Sequence, residues 1–238
     1  MKPPSPERLA DWNRELAGTD ADGILAWAAA TFPARVALAS SFGLEDQALI
    51  HLIASQQRDI AVFTLDTGRL FPETYELIAA TRERYRIAIK IFVPDAITVE
   101  ALVAEHGIAC YRQSVALRKA CCNARKVMPL QRALAPLDAW ICGLRRGQGP
   151  TRSEVEPVIW DEANQRVKIS PLAQWDEVRL REFLANNQVP VNPLHERGFP
   201  SIGCACCTRA ITPGEDPRAG RWWWEEPEHK ECGLHRTR

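Results

Sequence analysis

The sequence predicts an α/β protein built on a mostly parallel sheet flanked by helices. Three observations carry this. Short apolar runs rich in β-branched residues recur at 36–40, 60–65, 87–93 and 139–142, without the strict alternation of a half-solvated strand. Helical patterns lie between them, at about 44–56, 72–85, 97–106 and 113–135, and strand–helix–strand alternation is the signature of parallel pairing. The composition, 46% hydrophobic and 25% charged in 238 residues, is that of a globular chain rather than a fibrous or disordered one.

Each element has its local reason. Residues 3–32 read as an N-terminal helical appendage. Pro72 suits the first turn of the helix it opens. Val158–Trp160 and Val167–Ser170, joined by a polar link, predict a hairpin or edge strands, and 175–186 another helix. Beyond about 190 periodicity fades while Pro, Gly, Cys and Arg become frequent, which predicts loops and short helices ending in a mobile tail.

Charge excludes some functions. Thirty basic and thirty acidic residues leave no net charge to recruit nucleic acid or an anionic membrane. The longest apolar stretch, about Ile24 to Phe32, falls short of the roughly 20 residues a membrane helix needs. The first residues, MKPPSPERLADW, show no secretory signal, so a cytoplasmic protein is expected. The balance is local, however: residues 112–152 hold nine basic residues and one acidic residue, Asp138. This band can be a solvated face or can meet an anionic ligand.

Ligands of open α/β sheets bind beyond the carboxyl ends of the strands. Three polar segments fall there: Ser40-Ser41-Phe42-Gly43-Leu44-Glu45-Asp46, Asp66-Thr67-Gly68-Arg69, and Gly143 to Arg152 with Arg145, Arg146 and Arg152. Hydroxyls before a helix N-terminus and planar guanidinium forks both suit phosphate or sulfate oxygens. Together on one sheet edge they point to an anionic nucleotide site.

Eight cysteines are many for a reducing compartment, and five fall in two tight groups, Cys121-Cys122 and Cys204-Ala205-Cys206-Cys207, with 81 residues between them. Four thiolates can bind zinc or an iron–sulfur cluster. Adjacent cysteines do not make the Cys-x-x-Cys knuckle of zinc sites, whereas a cubane offers separate iron corners to neighbouring side chains. Arg118, Lys119, Arg125 and Lys126 around the first pair would offset the negative charge of such a centre. Cys110 and Cys142 fit buried core positions, and Cys206 is open to either reading. Near the terminus, Cys232 stands between Lys230 and His235, a setting that favours thiolate, and Gly233 permits a tight bend.

These residues resemble the assimilatory adenylyl-sulfate (APS) reductases of the iron–sulfur type, within the larger APS/PAPS reductase family. The matching segments are SSFGLED (40–46), LDTGRLFPETY (65–75), CCNARKVMPLQRAL (121–134) and GLRRGQGPTR (143–152). VNPLHERGFPSIGCACCTRAI (191–211), RAGRWWWE (218–225) and KECGLH (230–235) continue the series in order. The resemblance implies an adenine-nucleotide α-hydrolase-like (Rossmann-like) fold in a single reductase domain. Residues 1–35 would be its appendage, 36–190 its nucleotide-binding core, and 191–238 the cluster segment and catalytic tail.

It further implies one [4Fe-4S] cluster per chain on Cys121, Cys122, Cys204 and Cys207, and Cys232 as nucleophile. Substrate contacts would come from Ser40, Ser41, Asp66, Thr67, Gly68, Lys126, Arg145, Arg146, Arg152, Arg218, Arg221 and His235. The implied activity is reduction of adenylyl sulfate to sulfite and AMP through an S-sulfocysteine, in sulfate assimilation and cysteine biosynthesis. Thioredoxin or glutaredoxin would be the electron donor and a homo-oligomer the assembly. The alternative is a reductase of 3′-phosphoadenylyl sulfate (PAPS), or of both; members preferring PAPS typically lack the cluster cysteines. Three positions depart from the family pattern: Gly149 where Ser is usual, Cys206 where Pro is frequent, and Phe71 in place of a common His. A tRNA-modifying enzyme on a similar fold would show a Ser-Gly-Gly-x-Asp-Ser loop, which 40–46 is not. A metal-stapled binding module would leave Cys232 and the arginines without a task.

Overall fold

A computed structural model describes residues 2–146, 148 and 155–226. Its sheet has six strands: β1 (Val36–Ser40), β2 (Ala61–Leu65), β3 (Ile89–Phe92), β4 (Ala139–Ile141), β5 (Val158–Asp161) and β6 (Arg166–Ile169), in the order β3-β2-β1-β4-β6-β5. β1 runs parallel to both β2 and β4, β4 parallel to β6, and β5 antiparallel to β6. The two late runs thus form a hairpin, but only β5 is an edge; β6 lies inside the sheet. The chain leaves β1 toward β2 and returns to its other side at β4. This reversal is the topological switch point, the place in open α/β sheets where ligands ordinarily bind.

The helices start where the sequence offers caps. Ser5 accepts the Arg8 N–H at the head of α1 (Pro6–Glu15), and Asp20 the Gly23 N–H at the head of α2 (Ala21–Thr31). α3 (Leu44–Ser55) begins directly after the β1 loop, and α4 (Pro72–Tyr85) carries Pro72 in its first turn. α5 (Ala96–His106) is capped by Asp95 and stopped by Gly107 at φ 81°. The helix expected over 113–135 is interrupted. α6 (Val115–Cys122), capped by Ser114, passes into a π-helical turn at Asn123–Val127 before α7 (Met128–Leu134). A π-turn admits an extra residue per turn and resets which side chains share a face. Periodicity alone does not register it. α8 (Glu177–Asn186) follows the hairpin under an Asp176 cap.

The described residues divide into two compact units. The first is drawn from Met1–Thr64, Glu76–Lys90 and Leu134–Asn192, the second from Leu65–Tyr75, Ile91–Ala133 and Pro193–Arg238. The first holds the main core, in which Val36, Leu38, Val62, Ala139, Ile141, Val167 and Ile169 of the strands pack with Leu49, Ile50, Ile53, Leu180 and Leu184 of the helices. Trp12, Trp27 and Phe32 of the appendage meet edge to face at 5.6–6.0 Å. Asn13 grips edge strand β5: its amide donates to the Val158 carbonyl at 2.8 Å and accepts the Val158 N–H at 3.1 Å, pairing backbone groups that an edge leaves open. In the second unit the core around the cysteines is small, with Trp222 fully buried against Cys204 and Cys207. Among the described residues no helix is long and apolar enough to cross a membrane.

Candidate functional site

In the first unit the loops after β1 and β4 meet. The Ser40 hydroxyl is buried and accepts the Phe42 N–H at 3.1 Å. Ser41 donates both its N–H and its hydroxyl to Asp46, at 2.6 and 2.7 Å, pinning the loop to the first turn of α3. Burial raises the Asp46 carboxyl to about pH 6, even though the Ser41 hydrogen bonds pull it down. Gly143, just beyond β4, fits only because it has no side chain: a Cβ there would lie 2.6 Å from Asp46 and 2.7 Å from Glu45.

Arg145 is buried and donates from Nε to Glu45 at 2.8 Å. The Gln148 amide closes the turn, accepting the Arg145 N–H at 3.3 Å and donating to the Gly143 carbonyl at 3.0 Å. Arg146 is exposed, its backbone N–H on the Ala173 carbonyl and its Nε on the Val155 carbonyl at 3.1 Å. Arg152, Gly147 and Gly149 lie outside the described residues, as do Cys232, Gly233 and His235. A second buried cation in this unit, Lys168, rests 5.2 Å over the Trp140 ring.

The second unit holds the thiols. Cys121, Cys122, Cys204, Cys206 and Cys207 line one cavity, with Arg69, Tyr111, Arg118, Arg125, Lys126, Arg221 and Trp222 completing its wall. Its empty volume, including the open mouth, is about 350 Å³. The two cysteine groups come from different structural devices. Cys121 and Cys122 end α6, immediately before the π-turn that carries Arg125 and Lys126. Cys204–Cys207 form a 3₁₀ turn in which the Cys207 N–H returns to the Cys204 carbonyl at 2.9 Å. All five thiols are free. Among the described residues no three His, Cys, Asp or Glu side chains converge on one point, as a single metal ion requires. A cubane makes no such demand, because each thiolate meets its own iron corner, so two cysteine pairs around one cavity fit its donor set.

The Asp66-Thr67-Gly68 segment belongs to this unit. Asp66 accepts the Gly68 N–H and the Tyr75 hydroxyl, each at 2.8 Å. Thr67 is buried, with its hydroxyl 3.3 Å from the Cys204 sulfur and accepting the Arg69 N–H at 3.2 Å; Arg125 donates to its carbonyl at 2.8 Å. Arg221 is buried, its guanidinium 4.7 Å over Trp222 and donating to the Ile202 carbonyl at 3.1 Å. Gly203 makes room for it, since a Cβ there would lie 2.3 Å from Arg221. Lys126 and Arg218 are both half-buried. The predicted substrate residues thus fall in both units, Ser40, Ser41, Arg145 and Arg146 in the first and Asp66, Thr67, Gly68, Lys126, Arg218 and Arg221 in the second.

Three functional neighbours of the cysteines escape sequence reasoning. Glu225 holds Arg118 through a two-pronged pair at 3.0 and 2.7 Å, with both side chains at most 3% exposed. Arg69 reaches Cys206 at 3.8 Å, donates to the Ile108 carbonyl at 2.6 Å and stacks 4.8 Å over Tyr111. Arg69 and Glu225 sit inside the motifs LDTGR and RWWWE, which was the available signal; Tyr111 has none. Lys119, grouped with the cations around the first pair, is exposed and does not line the cavity. Cys110 and Cys142 are buried and do not line the cavity, although Cys110 is close enough to act electrostatically on Cys121; Cys142 lies against the Ser170 hydroxyl at 3.6 Å.

A family model, the phosphoadenosine phosphosulfate reductase domain, matches residues 35–210, about three-quarters of the chain and all of the paired cysteines. The chain belongs to this family. Relatives agree with the assignment. Adenosine 5′-phosphosulfate reductase of Burkholderia cepacia is 52% identical over 203 residues, covering 85% of this chain and 81% of the relative. The enzyme of the same name from Allochromatium vinosum is 50% identical over 201 residues, covering 84% and 78%. Among solved structures, the phosphoadenylyl-sulfate reductase of Candida auris, a phosphate complex, superposes with TM-score 0.75 at 26% identity, over 85% of this chain and 97% of its own. Yeast FAD synthetase, at 15% identity and TM-score 0.56 over 88% and 70%, shares the fold alone. The phosphoadenosine phosphosulfate reductase domain therefore has here the adenine-nucleotide α-hydrolase-like architecture that the resemblance implied.

Proposed function

We propose that the chain reduces adenylyl sulfate to sulfite and AMP in sulfate assimilation, drawing its electrons from thioredoxin or glutaredoxin. The observation that carries this reading is the cavity of five thiols and five cations, in a chain about half identical to proteins named adenosine 5′-phosphosulfate reductase. Cys121, Cys122, Cys204 and Cys207 hold one [4Fe-4S] cluster, which when bound supplies fixed negative charge and a tie between two chain segments. Arg69, Arg118 and Arg125 offset that charge, and Lys126 carries positive potential toward the sulfate.

The remaining steps follow from thiol chemistry. Ser40, Ser41, Asp66, Thr67, Gly68, Arg145, Arg146, Arg152, Arg218, Arg221 and His235 orient the nucleotide and neutralise its oxygens. The Cys232 thiolate forms a bond to the sulfate sulfur as the bond from that sulfur to the bridging phosphate oxygen breaks. AMP leaves with the electron pair of that bond. A thiolate of the donor protein then attacks the Cys232 sulfur, and sulfite departs with the electron pair of the sulfur–sulfur bond. The donor's second thiol closes its disulfide and frees Cys232. The donor is oxidised by two electrons and the sulfo group reduced by two. Such a thiol cycle belongs in the cytoplasm, where the donor is kept reduced, and the chain works there as a homo-oligomer.

Sulfite release from adenylyl sulfate and from PAPS, each with reduced thioredoxin, tests the reading. Adenylyl sulfate should turn over and its 3′-phosphorylated form should give little above background. Equal rates, or a preference for PAPS, would assign the chain to the other substrate.

A further inference from the structure

We propose that Cys206 is a reserve ligand that can take the place of Cys207 at one iron corner. The inference rests on the reading of the cysteine cavity as a cluster site. Five thiols line this cavity, one more than a cubane uses. The fifth is well placed: the Cys206 and Cys207 sulfurs are 3.7 Å apart. Two thiolates on one tetrahedral metal with bonds of about 2.3 Å stand about 3.8 Å apart, so both sulfurs are within reach of a single iron. An exchange between them needs a side-chain rotation rather than a backbone movement.

Among the described residues the Cys206–Cys207 contact is the one direct approach of two thiols recorded in this cavity. The Cys204 sulfur has the Thr67 hydroxyl at 3.3 Å, and Cys121 and Cys122 are already both assigned. The turn that presents Cys206 is held by Arg69. Its carbonyl accepts the Ala205 N–H at 2.8 Å, and its guanidinium reaches Cys206 at 3.8 Å while anchored on the Ile108 carbonyl and the Tyr111 ring. A cation beside a sulfur favours thiolate, the form that binds iron. In the exchange an iron–sulfur bond to Cys206 forms as the one to Cys207 breaks. The Cys206 proton passes to Cys207 or to solvent, and no electron moves.

The test compares iron and sulfide per chain, with the visible absorption of the cluster, in protein purified without oxygen. Cys204→Ala should lose the cluster. Cys207→Ala should keep at least half of the parent's iron and sulfide, Cys206→Ala all of it, and Cys206→Ala/Cys207→Ala none. Loss in Cys207→Ala as complete as in Cys204→Ala, or retention in the double variant, would overturn the reserve role. A parent without iron or sulfide would instead overturn the cluster reading beneath it. A second measurement leaves all four assigned ligands intact: loss of absorbance under excess chelator should be several-fold faster in Cys206→Ala than in the parent, and equal rates would contradict the proposal.

Discussion

Both units bury arginines, and they neutralise them differently. In the first, Arg145 meets Glu45 at 2.8 Å and Arg58 meets Asp22 at 2.7 Å, so each cation finds its anion within the same unit. In the second, Arg118 has Glu225, but Arg69, Arg125, Lys126 and Arg221 also wall the cavity, and its described lining includes no carboxylate besides that partner's contact with Arg118. The first unit pairs these two arginines with carboxylates. The second gathers positive charge around thiols, where it favours thiolate and suits an anionic ligand.

The largest effect is expected from removing the proposed nucleophile, whose substrate the second unit would help to hold. Cys232→Ser should abolish sulfite release while AMP still binds, since the proposed nucleotide contacts lie on other residues. Turnover by that variant would place the nucleophile elsewhere. A smaller but still large effect is expected at the buried ion pair of the cavity wall, Arg118 with Glu225. Glu225→Gln strands Arg118 in the interior, which should cost about 3–5 kcal/mol in chemical denaturation, whereas Arg118→Met/Glu225→Leu should recover much of it. If the single variant were as stable as the parent, the pair would be solvated rather than buried.

Substrate cations come next. Lys126→Ala and Arg146→Ala should each raise the KM for adenylyl sulfate about ten- to a hundredfold, the equivalent of a charge-assisted contact of roughly 1.5–3 kcal/mol. Parent-like kinetics in both at moderate salt would reduce the basic band to a solvated face. The smallest effect belongs to the first unit. Burial raises Asp46 to about pH 6 from an ordinary 3.8, so the folded state holds this proton more tightly than the unfolded state. Its contribution to stability is present below about pH 4 and is lost as pH rises to about 6. Urea midpoints across that range should fall in the parent relative to Asp46→Asn; parallel curves would show that the carboxyl titrates normally.

The sheet was legible because buried strands leave continuous apolar runs, and β1, β2 and β4 fall where those runs do. The π-turn at Asn123–Val127 was not, because one inserted residue shifts the helical phase without changing composition. The cysteine groups were legible from spacing, and they share one cavity. Their supporting shell was not: Arg118 and Glu225 are 107 residues apart and Arg69 and Cys206 137, and no local pattern links such pairs. Thr67 shows the same limit: nothing local in its motif signals that its hydroxyl lies 3.3 Å from the Cys204 sulfur, 137 residues away.

The most direct measurement of the central claim, that the second unit's thiol cavity is completed by an iron–sulfur centre, is elemental analysis of the chain purified without oxygen. The protein should be brown, with about four irons and four sulfides per chain, lost together with sulfite release in Cys204→Ala. Stoichiometric zinc in a colourless, fully active protein would contradict it.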